Sequence, residues 1–370
     1  MEIMEYFPLW FFLVLLSFFF IIFIYMHYSY KSDTLNNIFG VGSLSFVFIH
    51  IILFVLLMNQ DIGLQPFFVP LWLIVLGIPI IIVGFLIIIS TVVAYFFRKV
   101  VKKDLSKLIN NVKERRKLWS KAKKDTFRKL NHVLIFIGLL IVWFIGLFIV
   151  KSFTGTSAGM IPEENNMLLI YLRIINEPHS IAEVLFSFGW FYYLLFFFFY
   201  ILCVFMFANE ITRKSSFLYF PFNIFSTLYL SNEETRNYGT YLYFAIGQMF
   251  AAFTCPPMIF FAILGISSIS DLMTSQIGIR FGKSHILWNK NKTWEGTIAG
   301  MITTFLICFF FVGVFWSLIF TYLFLIFDII TDKPIKISDN LLIPIGCSVA
   351  YLLIRFIFDL NYYSLIINWI

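Results

Sequence analysis

The chain has 370 residues, of which 61% are hydrophobic and only 13% charged. So little polar surface cannot clothe a water-soluble globule of this length, and the composition identifies an integral membrane protein. Its net charge of +7 is concentrated in one segment, so it bears on membrane orientation before any nucleic-acid partner.

A bilayer core needs about 20 apolar residues per helix. The first such run, at 6 to 28, is too long for a signal-peptide core and follows Glu2 and Glu5 instead of a basic leader, so it reads as a retained helix. Further spans are predicted at 39 to 58, 67 to 97, 133 to 152 and 181 to 207. Between the third and fourth, residues 98 to 131 carry 14 Lys and Arg against Asp104, Glu114 and Asp125, a net +11 in a chain whose total is +7. By the positive-inside rule this segment is cytoplasmic. Val101, Leu105, Leu108, Val112 and Trp119 recur at helical spacing, predicting a basic amphipathic helix along the headgroups.

The second half is less regular. The stretch 217 to 230, with Pro221, is short for a full crossing and reads as re-entrant or interfacial. Runs 240 to 270 and 298 to 327 each suit two short helices, broken at the Cys-Pro-Pro of 255 to 257 and near Gly313. A last span covers 341 to 358. The expected fold is an all-α, polytopic helical bundle of about ten membrane segments. The four cysteines, Cys203, Cys255, Cys308 and Cys347, lie far apart in apolar surroundings and read as buried small hydrophobes.

One stretch breaks the apolar pattern: "SDLMTSQIGIRFGKSHILWNKNKTWEGT", residues 270 to 297. An Asp at the centre of a membrane helix costs about 3 kcal/mol on insertion scales, so Asp271 at the end of an apolar run invites a functional role. Within the next 24 residues come Gly278 and Gly282, then Arg280, Lys283, Lys290 and Lys292, then Glu295. Small turns, cations and carboxylates together suit a phosphate chain carried by a divalent metal. The run "GIRFGKS" is one residue short of a P-loop and follows a membrane helix where a strand is required, so it is not one. His285 reads as a solvated bystander.

These residues resemble the signature of the CTP-dependent polyprenol kinases, the group that includes dolichol kinase, phytol kinase and the CTP-dependent diacylglycerol kinase. "SDLMTSQIGIRFGK" and "NKNKTWEGTIAG" are similar to its G-D-x-x-A-x-x-x-G-x-x-F-G-K and N-K-x-K-[ST]-x-x-G-[ST]. "TFRKLNH" (126 to 132), "NEITR" (209 to 213), "SNEETRNYGTYLYFAIG" (231 to 247) and "SDNLLIP" (338 to 344) follow the family order, so the resemblance covers about 126 to 358. It divides the chain into a three-helix extension (1–97), the basic loop (98–131) and a catalytic membrane domain (132–370). Ser270, Thr274 and Ser338 depart from the usual Gly, Ala and Asp. "KTWEG" also occurs in the CDP-diacylglycerol synthases, but their downstream basic signature has no counterpart. After residue 300 the only Lys and Arg are Lys333, Lys336 and Arg355.

The resemblance implies transfer of the CTP γ-phosphoryl group, with Mg²⁺, to a lipid alcohol. An isoprenoid alcohol such as dolichol, phytol or geranylgeraniol is expected before diacylglycerol. In this scheme Asp271 and Asp339 are metal ligands or the base. Lys292 and Lys290 neutralise phosphates, with Arg280, Lys283 and Asn340 beside them, and Gly278 and Gly282 bring backbone amides close. Glu295 orients Lys292 or joins the metal shell. Arg128, Lys129, His132, Glu210 and Arg213 form a second tier. All must meet soluble CTP on the cytoplasmic face, which requires the Pro and Gly breaks to be real turns. Partners are then the nucleotide, the lipid alcohol and membrane lipids, with no nucleic acid. A phosphatidate cytidylyltransferase, a non-catalytic family member, and a transporter or channel are the alternatives.

Overall fold

The computed structural model describes residues 34–58, 68–100, 114–115, 118–154, 190–215, 217–223, 238–331, 333–360, 362–363 and 365–368, with 226, 230 and 234. The predicted span at 6 to 28 and residues 101 to 113 of the basic loop lie outside them. The described residues are all-helical, with no strand.

The early helices extend beyond their predicted ends because polar residues cap apolar runs without breaking them. Helix α1 spans Thr34–Met58 and α2 spans Phe68–Lys99, where Arg98 and Lys99 complement the helix dipole. Helix α3, Lys121–Thr154, takes the "TFRKLNH" segment into its first turns, where it had been expected before the span. Helix α4, Trp190–Lys214, ends on Arg213 and Lys214. Residues 217–223 form a bend and a single short turn around Pro221.

Both predicted breaks are real. Helix α5 (Thr240–Thr254) stops where Cys255 and Pro256 adopt extended backbone, and α6 (Pro257–Gly265) begins with proline in its first turn. Helix α6 runs through a π-helical segment, Ile266–Ser270, into α7, Asp271–Phe281. Helix α8, Trp294–Ile330, contains Gly313 at φ 81°, ψ 177°, a conformation open to glycine. A straight helix of 37 residues would hold its ends about 55 Å apart. Instead the ends meet: Thr297 Oγ1 donates to Asp328 at 2.6 Å and Asn289 Nδ2 donates to Thr331 O at 2.7 Å. Helix α8 is therefore a hairpin folded at Gly313. Helix α9, Asp339–Phe358, and the short α10, Leu365–Asn368, complete the chain.

Six of these elements are long and apolar enough to cross a membrane: Leu76–Lys99, Ala122–Phe153, Leu194–Lys214, Pro257–Phe281, Trp294–Ile330 and Asp339–Phe358. Six is the count of such spans among the described residues. Their outer faces carry exposed apolar side chains such as Phe85, Ile88, Phe148, Ile302, Leu306 and Phe356, a surface that only lipid can solvate. The α5–α6 hairpin is the reverse: from Leu242 to Gly265 every residue is buried, as expected of a helix apolar all round. It packs against α1, α4, α8 and α9. All four cysteines are free and buried.

Candidate active site

The crossing of α7 and α8 fixes the site's frame. Gly278, Gly296 and Gly300 line the crossing, and at Gly296 and Gly300 the helices approach so closely that an added methyl group would collide. A Cβ on Gly296 would lie 2.6 Å from Thr274 O, and one on Gly300 would lie 2.0 Å from Thr274 Oγ1. Thr274, where the resembled family carries Ala, thus has its hydroxyl seated over Gly300, and it donates to Ser270 O at 2.9 Å. Gly278 serves this packing, and the Gly282 N–H donates to Gly278 O at 3.1 Å.

Glu295 has a place that the sequence did not suggest. Its carboxylate accepts the backbone N–H groups of Lys283 (3.1 Å) and Ser284 (3.0 Å). It therefore pins the 282–293 loop to the first turn of α8, and it does not orient Lys292. That task falls to Asp328, a residue not singled out from the sequence. Lys292 Nζ donates to Asp328 Oδ1 at 2.5 Å and to Thr331 Oγ1 at 3.0 Å, while Thr297 holds the other carboxylate oxygen. Burial disfavours the Lys292 ammonium, but Asp328, Asp339 and Asp271 outweigh it and hold the amine above its ordinary pKa. Lys292 is a fixed cation.

Asp271 begins α7 at the end of the π segment, where its own N–H reaches back five residues to Ile266 O. Single π turns inside α-helices recur at functional sites. Lys129 of α3 donates to Asp271 Oδ1 at 2.6 Å and to Asp271 O at 2.9 Å, and both side chains are more than nine-tenths buried. The neighbouring Arg128 pairs with Asp125 at 3.1 Å and reaches Glu234 at 4.0 Å. Asp125 in turn accepts from Ser275 and from Gln276, at 3.3 Å, which ties α3 to α7.

Asp339, in the first turn of α9, directs Oδ1 to the Asn340 N–H at 2.9 Å and lies in electrostatic reach of Lys292, Lys129 and Arg128. Asn340 is buried, its carbonyl abutting Gly247. His132 lies flat on Phe244 with ring centroids 3.8 Å apart, and its Nδ1 is buried without a partner. Glu210 and Arg213 form a separate pair at 2.6 Å, and Tyr241 and the Gly239 N–H also bond Glu210. Arg280, Lys283 and Lys290 are exposed.

The structure thus gathers Asp271, Lys129, Lys292, Asp328 and Asp339 at one end of the bundle, with Arg128, Glu234 and the Glu210–Arg213 pair at its border. Two observations bear on a metal. Asp271 and Asp339 act on each other electrostatically, yet among the described residues no three His, Cys, Asp or Glu side chains gather as a ligand set. Mg²⁺ commonly binds through one or two carboxylates together with substrate phosphates, and a carboxylate pair fits that mode. Comparison with protein-family models, curated proteins and solved structures returns no match, so the chemistry is argued from these residues alone.

Proposed function

We propose that this protein is a membrane lipid kinase that transfers the γ-phosphoryl group of CTP to the hydroxyl of a lipid alcohol. The observation that carries the proposal is the convergence of Lys129–Asp271, Lys292–Asp328 and Asp339, from four helices and the 282–293 loop, at one end of an otherwise apolar bundle. Buried charge inside a membrane protein is costly and is kept where it works on charged substrates.

In the proposed reaction the acceptor oxygen bonds to the γ-phosphorus as the bond to the β-phosphate oxygen breaks. CDP departs, and the hydroxyl proton passes to a carboxylate of the Asp271–Asp339 pair. Phosphoryl transfer needs positioning and charge neutralisation more than covalent help. Lys292, fixed by Asp328, supplies a permanent positive charge beside the transferring group. Lys129 holds Asp271 in place, and the exposed Arg280, Lys283 and Lys290 lie on the route of an incoming nucleotide. When bound between Asp271 and Asp339, Mg²⁺ would add further neutralisation of phosphate charge.

The topology that goes with this reading has ten segments. They are 6–28, α1 to α4, α5, the α6–α7 arm, the two arms of α8, and α9, with the site on the cytoplasmic side set by the basic loop. The two hairpins return the chain to that side each time.

The test is incorporation of labelled γ-phosphate from CTP into lipid, with the product identified by mass. Asp271→Asn and Lys292→Ala should each lower turnover by about 10²-fold, because each deletes a charge acting on the transferred group. Lys99→Ala, at the far end of α2, should be neutral. Full activity in Asp271→Asn, or better use of ATP than CTP, would sink the proposal. Release of pyrophosphate would move the protein to the cytidylyltransferases.

A further inference from the structure

The extension that precedes the family-like region reaches the candidate site. At the start of α1, Asn36 is 8% exposed, and its Oδ1 accepts the backbone N–H of Ser338 at 2.6 Å. Ser338 is the N-cap of α9, and Asp339 is the first residue of that helix. The N-cap residue's own N–H is commonly satisfied from within the helix, by a Glu or Gln three positions on that reaches back. Here that position is Leu341, fully buried and unable to accept a hydrogen bond. Nor does the Ser338 side chain cap the helix; its Oγ is buried without a partner. Asn36 therefore supplies from a distant helix the half of the capping arrangement that α9 lacks. The next residue, Asn37, is 1% exposed and accepts from Tyr243 Oη of α5 at 3.5 Å, so the start of α1 is seated between the two helices.

We infer that Asn36 is a positioning residue for Asp339: by holding the Ser338 N–H it fixes the turn that carries the Asp339 carboxylate. The extension is then a working part of the site. The catalytic side of this inference rests on the kinase reading, whereas the positioning contact does not.

The experiment separates the two. In the full-length protein in detergent, melting is measured for Asn36→Ala, Ser338→Pro and the double variant. Ser338 has φ −67°, which proline adopts, so Ser338→Pro deletes the donor; its ring would meet the Asn36 oxygen 2.6 Å from the nitrogen, so its effect is read in the Asn36→Ala background. If the contact is as described, the proline should leave the melting of Asn36→Ala nearly unchanged, because the donor it deletes has already lost its partner. Asn36→Asp, which keeps the acceptor, should recover most of the melting temperature. In the γ-phosphate assay Asn36→Ala should lower turnover roughly tenfold or more, with little change in the KM for lipid, as a misplaced carboxylate would. A further fall in melting when the proline is added to Asn36→Ala, or wild-type turnover in Asn36→Ala, overturns the inference. If the wild-type protein transfers no phosphate, the kinase reading falls, and the melting cycle alone decides whether Asn36 positions this turn.

Discussion

Replacing Asp328 by Asn should damage the protein more than any exposed charge change, and the structure gives the size. The substitution keeps the shape and the acceptor for Thr297 but removes the negative charge from a carboxylate 3% exposed, leaving Lys292 13% exposed beside it. Removing one member of a buried ion pair costs about 3–5 kcal/mol, chiefly because the other charge is left uncompensated. Asp339 and Asp271 still act on Lys292, so the lower end, about 3 kcal/mol, is expected. In a protein of this size that corresponds to a fall in melting temperature of roughly 5 °C. The measurement is thermal unfolding of the detergent-purified protein, followed by its monodisperse fraction. Because Asp328 closes the α8 hairpin onto the 282–293 loop, the variant should also expose that loop to protease. Melting within about 1 °C of wild type, with unchanged proteolysis, would refute the reasoning, since a deficit of 3 kcal/mol cannot hide in so small a shift.

Other consequences follow from the same geometry. Lys292 has its native pKa raised above the 10.5 of an ordinary lysine, so its contribution to stability is complete below that pH. That contribution is lost as pH rises through the raised native value. Wild type should therefore show an alkaline fall in melting temperature that is smaller in Asp328→Asn, and identical profiles would argue against the pair. Cysteines placed at the exposed positions Lys123, Lys290 and Lys333 should all be labelled from one side of the membrane by an impermeant reagent; labelling from opposite sides would contradict the α8 hairpin. Gly300→Ala should destabilise by about 1–3 kcal/mol through overpacking, because its methyl group would meet Thr274 and Phe324. Pairing it with Thr274→Ala should return part of that loss, and no recovery would mean that Thr274 does not set the helix separation.

Much of the backbone was legible in the sequence because proline and glycine act locally. Pro256 and Pro257 cannot continue a helix, and Gly313 tolerates a backbone that other residues avoid, so both breaks could be placed from residue type alone. Asp271 stood out because charge at the end of an apolar run has few innocent explanations. By the same logic Asp328, within "LIFDII", carries the same signal. Its partner lies 36 residues away, and only the fold of α8 brings them together. Lys129 stood only in the second tier, since nothing local shows that α3 turns it toward Asp271. Glu295 was expected to orient Lys292 or to join a metal shell, whereas two backbone amides, which no side-chain pattern reveals, claim it. The π segment was equally hidden, since "ISSIS" carries no breaker.

The buried α5–α6 hairpin has a consequence for how the protein is made. A 15-residue helix followed by a Pro-Pro break has no face of its own suited to lipid, and its neighbours come from both sides of it in the chain: α1 and α4 before, α8 and α9 after. During synthesis the centre of the protein therefore emerges when only half of its wall exists. It must wait, against the earlier helices, until the last ones arrive to enclose it. The charged end inherits the same dependence, because Asp339, the last of its members to be made, follows a residue whose backbone N–H is held by Asn36, among the first forty.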